Sequence, residues 1–167
     1  SFEPYPMTRT RPLIPSTRNA DELAFVEAHG TGTAVGDPRE AEAIGRAYGM
    51  ARGTPLPIGS AKSNFGHLEP AAGLVGLLKA QIALERSCLP PSLHCDSPNR
   101  RIDFEGLNLD LATTARELAP NGRGWLAAIN AFGFGGTNAH VVLRAAAPDT
   151  KSRRRSDRAA PVPDLPP

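Results

Sequence analysis

Aromatic residues are scarce: they make up 5% of the 167 residues, with a single Trp and two Tyr. Any core must then be built from Ala, Leu, Val and Ile, which a hydrophobic content of 40% allows. Cysteine is nearly absent. Cys88 and Cys95 are the only two, and they lack CxxC spacing. The first residues contain no basic stretch followed by an apolar one. A disulfide framework and secretion are therefore not expected, and a cytoplasmic chain with reduced thiols is. No apolar run reaches the about 18 residues of a membrane span. Residues 71–84 come nearest and are interrupted by Gly73, Gly76, Lys79 and Gln81.

A basic folded surface is also missing. The net charge is +2, yet residues 151–167 hold five basic and two acidic side chains, which leaves 14 basic against 15 acidic elsewhere. The positive balance belongs to the tail, so a nucleic-acid partner is not expected. The four histidines show no HxxxH or HExxH pairing, and no metal site is expected. The glycine-rich stretches contain no GxxxxGK[ST] loop. Gly133, Gly135 and Gly136 are followed by Asn138 where a dinucleotide fingerprint needs its last glycine.

Glycine and proline are plentiful, with 16 and 17 residues. Pro4, Pro6, Pro12 and Pro15 mark residues 1–20 as an irregular leader, and the Arg- and Pro-rich residues 147–167 read as a disordered tail. Between them, residues 21–146 read as one α/β unit. Residues 23–27 form a short apolar run, expected as a buried strand. Asp37-Pro38-Arg39-Glu40 reads as a helix start, with Asp37 as cap, Pro38 in the first position and Glu40 completing a capping box. That helix is expected to run to about Tyr48. Residues 57–61 read as a strand and 62–67 as a loop. A helix follows from Pro70 to Arg86, apolar nearly all round and therefore expected to be buried. Residues 107–111 read as a weak strand. Residues 125–130 and 140–143 read as a hairpin around a glycine-rich tip. Strand, helix, strand, helix and further strands imply a layered α/β arrangement, with ligand chemistry at the loops.

Three glycine-rich segments follow strand-like runs, and each contains or adjoins a histidine. They are Val26-Glu27-Ala28-His29-Gly30-Thr31-Gly32-Thr33, continuing to Gly36-Asp37-Pro38; Gly59-Ser60-Ala61-Lys62-Ser63-Asn64-Phe65-Gly66-His67; and Asn130-Ala131-Phe132-Gly133-Phe134-Gly135-Gly136-Thr137-Asn138-Ala139-His140. His29 and His67 stand where a strand meets a tight loop. Two neutral imidazoles converging there are good donors to a developing oxyanion. Lys62 is placed to tune His67 by its charge. Gly133, Gly135 and Gly136 belong to a turn that can present backbone N–H groups. His94 and His140 read as satisfied structural side chains. Cys88 and Cys95 have no surroundings that lower a thiol pKa.

In order and spacing, these segments are similar to the VEAHGTGT…GDP, KSNxGH and FGFGGTNAH stretches of ketosynthases, the condensing domains of polyketide synthases. The helix from Pro70 is similar to the family's AAGxxGLLKA. The chain thus resembles the C-terminal half of a beta-ketoacyl synthase of a type I modular polyketide synthase, in the thiolase-like superfamily, over about residues 21–143. The resemblance implies a decarboxylative Claisen condensation of acyl and malonyl-type thioesters, as in polyketide and fatty acid biosynthesis. It implies catalytic roles for His29 and His67, with Lys62 orienting the latter. It implies half of an oxyanion hole from the Phe134 N–H, with the Phe134 side chain as a gate. Thr31 and Thr33 would hold the phosphopantetheine arm of an acyl carrier protein, and no cofactor is bound by the chain itself.

The family's nucleophile is a cysteine in a TACSSS-type run well before the first histidine, and the 28 residues before His29 contain no cysteine. The N-terminal half is therefore expected to come from elsewhere, either as a missing half or as a second ketosynthase subunit, the family being homodimeric. Such a chain alone is expected to be inactive as an acyltransferase. The family packs two halves in five layers, so a lone half would expose apolar surface and be marginally stable or oligomeric. Two other readings remain: a non-catalytic module that binds carrier arms or pairs with another subunit, and a solitary decarboxylase or hydrolase using His29 and His67.

Overall fold

The computed structural model describes residues 20–118 and 126–145. The leader expected over 1–20, apart from Ala20, and the tail expected over 147–167 lie outside the described residues. Three short 3-10 turns aside, the described residues form ten helices and strands, in the order β1 (Leu23–Glu27), α1 (Gly36–Ala47), β2 (Leu56–Gly59), α2 (Lys62–Phe65), α3 (Ala72–Arg86), β3 (Cys88–Leu89), β4 (Leu109–Leu111), β5 (Arg116–Glu117), β6 (Leu126–Phe132) and β7 (Asn138–Arg144). A five-stranded sheet runs β4-β2-β1-β6-β7, and β3 pairs with β5 apart from it.

In the main sheet β1 is parallel to both β2 and β6, β2 is parallel to β4, and only β7 is antiparallel. The two strands flanking β1 therefore end at the same edge as β1 does. Every residue of β1 is buried, as expected for a central strand covered on both faces. One face packs Val26, Leu56 and Ala128 against Ala41, Ile44 and Tyr48 of the α1 segment. The other packs Phe25, Ala127 and Ile129 against Ala80, Ala83 and Leu84 of α3. The result is an α–β–α layering whose core uses one Phe and many small aliphatic residues.

Helix α3 approaches the sheet closely because its inner face is small. A Cβ at Gly76 would lie 3.3 Å from Cγ of Glu27, and one at Gly73 would lie 3.1 Å from Cβ of Ala131. The expectation that the helix is buried all round holds for this face only. Leu74, Leu78 and Ile82, spaced at i, i+4 and i+8, are 63%, 55% and 56% exposed. Lys79, by contrast, lies on the buried side. Its ammonium is 2.7 Å from Oε2 of Glu27, and both side chains are almost fully buried. Oε1 of Glu27 accepts the Ala61 N–H at 2.5 Å. Burial pushes the Glu27 carboxyl up, and Lys79 opposes that rise. The pair clamps α3 to the end of β1 and to the start of α2.

Other boundaries differ from the sequence reading for identifiable reasons. Helix α1 starts at Gly36, and Val35 provides no side-chain cap. Asp37 does not cap; its carboxylate accepts the N–H groups of Gly32 and Thr33. Glu40 completes no capping box, because it turns inward to the residue 29–30 backbone. A glycine-rich loop carries many N–H donors that no regular element satisfies, and both carboxylates are drawn to them. Residues 62–65 form one helical turn and not an open loop, with backbone bonds from Asn64 and Phe65 to the Ala61 carbonyl. The expected hairpin is present, though Trp125 lies outside the described residues.

Removing one partner of the clamp leaves the other charge buried. Lys79→Met is expected to cost about 3–5 kcal/mol, whereas Glu27→Gln combined with Lys79→Met recovers most of that loss. Urea unfolding of the variants checks this. An equal loss in the single and double variants would contradict it.

Candidate functional site

The C-terminal ends of β1, β2 and β6 deliver the three motif loops to one edge of the sheet, where open α/β sheets bind ligands. The loop after β1 carries His29. The loop after β2 leads through α2 to His67. The turn between β6 and β7 carries Phe134.

His29 and His67 meet edge to face, with ring centroids 5.6 Å apart and planes at 85°. The Phe132 ring lies 5.3 Å from His29, tilted by 48°. Nδ1 of His29 accepts the Phe132 N–H at 3.3 Å. Nδ1 of His67 accepts the Glu69 N–H at 3.0 Å. A ring nitrogen that accepts an N–H cannot carry a proton, so each neutral imidazole holds its proton on Nε2. Both rings are thereby set as donors through the nitrogen that the backbone leaves open.

Burial lowers the His29 pKa to about 4, and the charges of Lys62 and His67 add to the effect. The Lys62 charge thus bears on His29. Lys62 is half-buried. Its own pKa is lowered by burial, against the opposing pull of Glu27, Glu40 and Asp37.

The His29 loop is shaped by glycine. Gly30 has φ +49°, and a Cβ there would lie 2.8 Å from Cβ of Ser60. Its backbone is anchored by Glu40, whose Oε1 accepts the His29 N–H at 2.7 Å and whose Oε2 accepts the Gly30 N–H at 3.0 Å. Thr33 is exposed, and its hydroxyl oxygen accepts the Gly36 N–H at 3.0 Å. Thr31 lines a cleft of about 400 Å³ together with Lys62, Ser63, His94, Cys95 and Asn99. The two threonines expected to act as one pair thus have different surroundings.

Not every glycine-turn N–H is open. Gly133 donates to the Thr137 carbonyl at 2.8 Å and Gly136 to the Gly133 carbonyl at 3.0 Å. These two bonds close the turn, in which Gly136 has φ +84°. Among the described residues, no hydrogen bond involves the N–H of Phe134 or of Gly135, and the Phe134 side chain stands fully exposed. The turn therefore offers two donors.

Neither cysteine has the surroundings of a nucleophile. Cys88 is exposed on β3. Cys95 donates its S–H to the Leu93 carbonyl at 3.2 Å, and burial pushes its thiol up, with the charge of Asp96 adding. Among the described residues, no group of three or more His, Cys, Asp or Glu side chains could hold a metal ion, and no helix is long and apolar enough to cross a membrane.

Sequence reading missed Glu40 as an anchor, and with it Asn130 and Tyr48. One signal was available: Glu40 falls on the helical stripe of Ala41, Ile44 and Tyr48, where a lone carboxylate has to find buried donors.

Residues 13–96 match the family model of the beta-ketoacyl synthase C-terminal domain, and residues 98–166 match that of the ketoacyl-synthetase C-terminal extension. Polyketide synthase GfsA of Streptomyces halstedii is 47% identical over 146 residues, which is 86% of this chain and 2% of that protein. Highly reducing polyketide synthase PKS6 of Gibberella zeae is 52% identical over 124 residues, 73% of this chain and 5% of that protein. Among solved structures, ketosynthase twelve of the bacillaene polyketide synthase of Bacillus amyloliquefaciens matches with TM-score 0.73 and 36% identity, over 78% of this chain and 24% of that one. The chain thus spans a small fraction of its curated relatives and less than a third of a solved ketosynthase. Its α/β layering is that of the thiolase-like ketosynthases, and the chain belongs to the beta-ketoacyl synthase family, of which it carries the C-terminal domain and its extension.

Proposed function

We propose that this chain supplies the two histidines and half of the oxyanion hole to a ketosynthase that condenses acyl and malonyl-type thioesters. The observation that carries the reading is the pair of imidazoles, 5.6 Å apart, each with Nδ1 accepting a backbone N–H. A malonyl thioester that loses CO2 passes the bonding electrons into its thioester carbonyl, which becomes an enolate. Two Nε2–H donors at that oxygen stabilise the charge as it develops. A low pKa keeps His29 neutral near pH 7, so it donates a hydrogen bond without surrendering its proton.

The enolate carbon then attacks an acyl thioester held on a cysteine. The new carbon–carbon bond forms, the oxyanion is met by the Phe134 N–H and by an N–H beside the cysteine, and the thiolate leaves. Cys88 and Cys95 are unsuited to that role, so the nucleophile comes from residues outside this sequence: the other ketosynthase half or a second subunit. The exposed row Leu74, Leu78 and Ile82 is a surface that such a half would cover. The substrates arrive on the phosphopantetheine of an acyl carrier protein, whose arm Thr31 and Thr33 contact. The Phe134 ring, free of packing, gates the entrance. The same exposed row also favours a second reading, a subunit-pairing module without chemistry of its own.

The chain alone is expected to form no condensation product. Combined with an N-terminal ketosynthase half that carries the cysteine, it should decarboxylate a malonyl thioester, and His67→Ala should lower that rate by about 10²–10³-fold. An unchanged rate in the variant would favour the pairing module.

NMR titration should place the His29 midpoint at about 4. The folded state holds this imidazole neutral, whereas the unfolded chain takes up its proton near 6.5. The neutral form therefore contributes its full stability above about pH 6.5, and that contribution is lost as the pH falls through 4. A midpoint near 6.5 would show a solvated ring and contradict the arrangement.

A further inference from the structure

A chain of side-chain hydrogen bonds runs behind the histidine site. The Tyr48 hydroxyl lies 2.9 Å from Nε2 of His140. Nδ1 of His140 lies 2.6 Å from Oδ1 of Asn130. Nδ2 of Asn130 donates to Oε1 of Glu40 at 2.9 Å, the same oxygen that accepts the His29 N–H. Asn130 and His140 sit directly opposite each other on β6 and β7. Tyr48 follows α1, and its ring stacks on His140 at 6.0 Å and 17°. Tyr48, Glu40 and Asn130 are buried.

The polarity of this chain is determined from one end. The N–H groups of His29 and Gly30 can only donate, so the Glu40 oxygens accept. Asn130 must then present its NH2 to Glu40 and its carbonyl to His140. His140 must in turn carry its proton on Nδ1, and Nε2 accepts the Tyr48 O–H. With His140 neutral each group has one permitted orientation, and a reversal at His140 would turn an acceptor of Asn130 against the carboxylate. Burial of one side of the ring lowers the His140 pKa, although the residue as a whole is exposed.

We propose that His140 is a positioning residue for His29, acting through Asn130 and Glu40 to fix the backbone of residues 29–30. The hairpin that holds these two side chains also provides the Phe132 N–H to His29 and carries the Phe134 turn. One network thereby sets the histidine and the oxyanion donors relative to each other. The functional sense of this role rests on the condensing reading above; the structural coupling does not.

The test uses the full 167-residue chain and reads the titration of His29, which is faced by Lys62 and His67. His140→Asn keeps an N–H donor towards Asn130 and is expected to leave the His29 midpoint near its native value of about 4. His140→Asp places an acceptor there, and it is expected to raise the midpoint towards 6.5 as the loosened loop hydrates. Ile44→Val, a core change on the same side of the sheet, should leave the titration in place. Equal effects of Asn and Asp, or no effect of Asp, would overturn the proposal. If His140→Asp does not fold, the native chain decides the question: ¹⁵N shifts must show His140 in its Nδ1–H form, and an Nε2–H form overturns the proposal. None of these readouts requires condensation, so a failed condensation assay would count against the function alone.

Discussion

The hydrogen bond from the Phe132 N–H to Nδ1 of His29 joins residues 103 positions apart and does two things. It ties the loop after β1 to the end of β6, and it fixes which nitrogen of His29 holds the proton. The bond depends on β1 and β6 being parallel neighbours, because only then do their C-terminal ends lie side by side. The parallel pairing of β1 with β2 brings the loop that leads to His67 to the same edge. Three motifs far apart in sequence thus share one site because of strand direction, before any side chain is considered.

Buried polar groups stabilise this edge from both sides of the sheet. On the α3 side, Lys79 and Glu27 hold the start of α2 through the Ala61 N–H. On the α1 side, Glu40, Asn130, His140 and Tyr48 hold the backbone of the His29 loop. Lys79, Glu27, Glu40, Asn130 and Tyr48 are each costly to bury alone and acceptable when their partners are met. The small residues of the core serve the same arrangement. Gly73 and Gly76 let α3 approach β6 and β1 at distances that larger side chains would prevent.

Much of this was legible in the sequence, for local reasons. The glycine turns beside His29 and Phe134 announce themselves through residues that favour left-handed backbone, and Gly30, Gly32 and Gly136 adopt it. The strands β1 and β6 appear as short apolar runs. What could not be read depends on partners distant in the chain. Glu40 resembles a capping residue because its real partners, His29, Gly30 and Asn130, lie outside its helix. Lys79 resembles an interruption of an apolar helix because Glu27 is 52 positions away. The outer row of α3 looks fit for burial because composition records apolarity and not which surface covers it. His140 has partners at both ring nitrogens, as a structural histidine should, but the direction of those bonds follows from residues its own sequence neighbourhood does not contain.

Everything at the site turns on the backbone occupying Nδ1 of both imidazoles, which leaves Nε2 of each as the donor. A long-range ¹H–¹⁵N spectrum of the chain near pH 7 measures this directly. His29 and His67 are both expected to show a protonated Nε2 and a bare Nδ1. A proton on Nδ1 of either ring, or a doubly protonated His29, would contradict it.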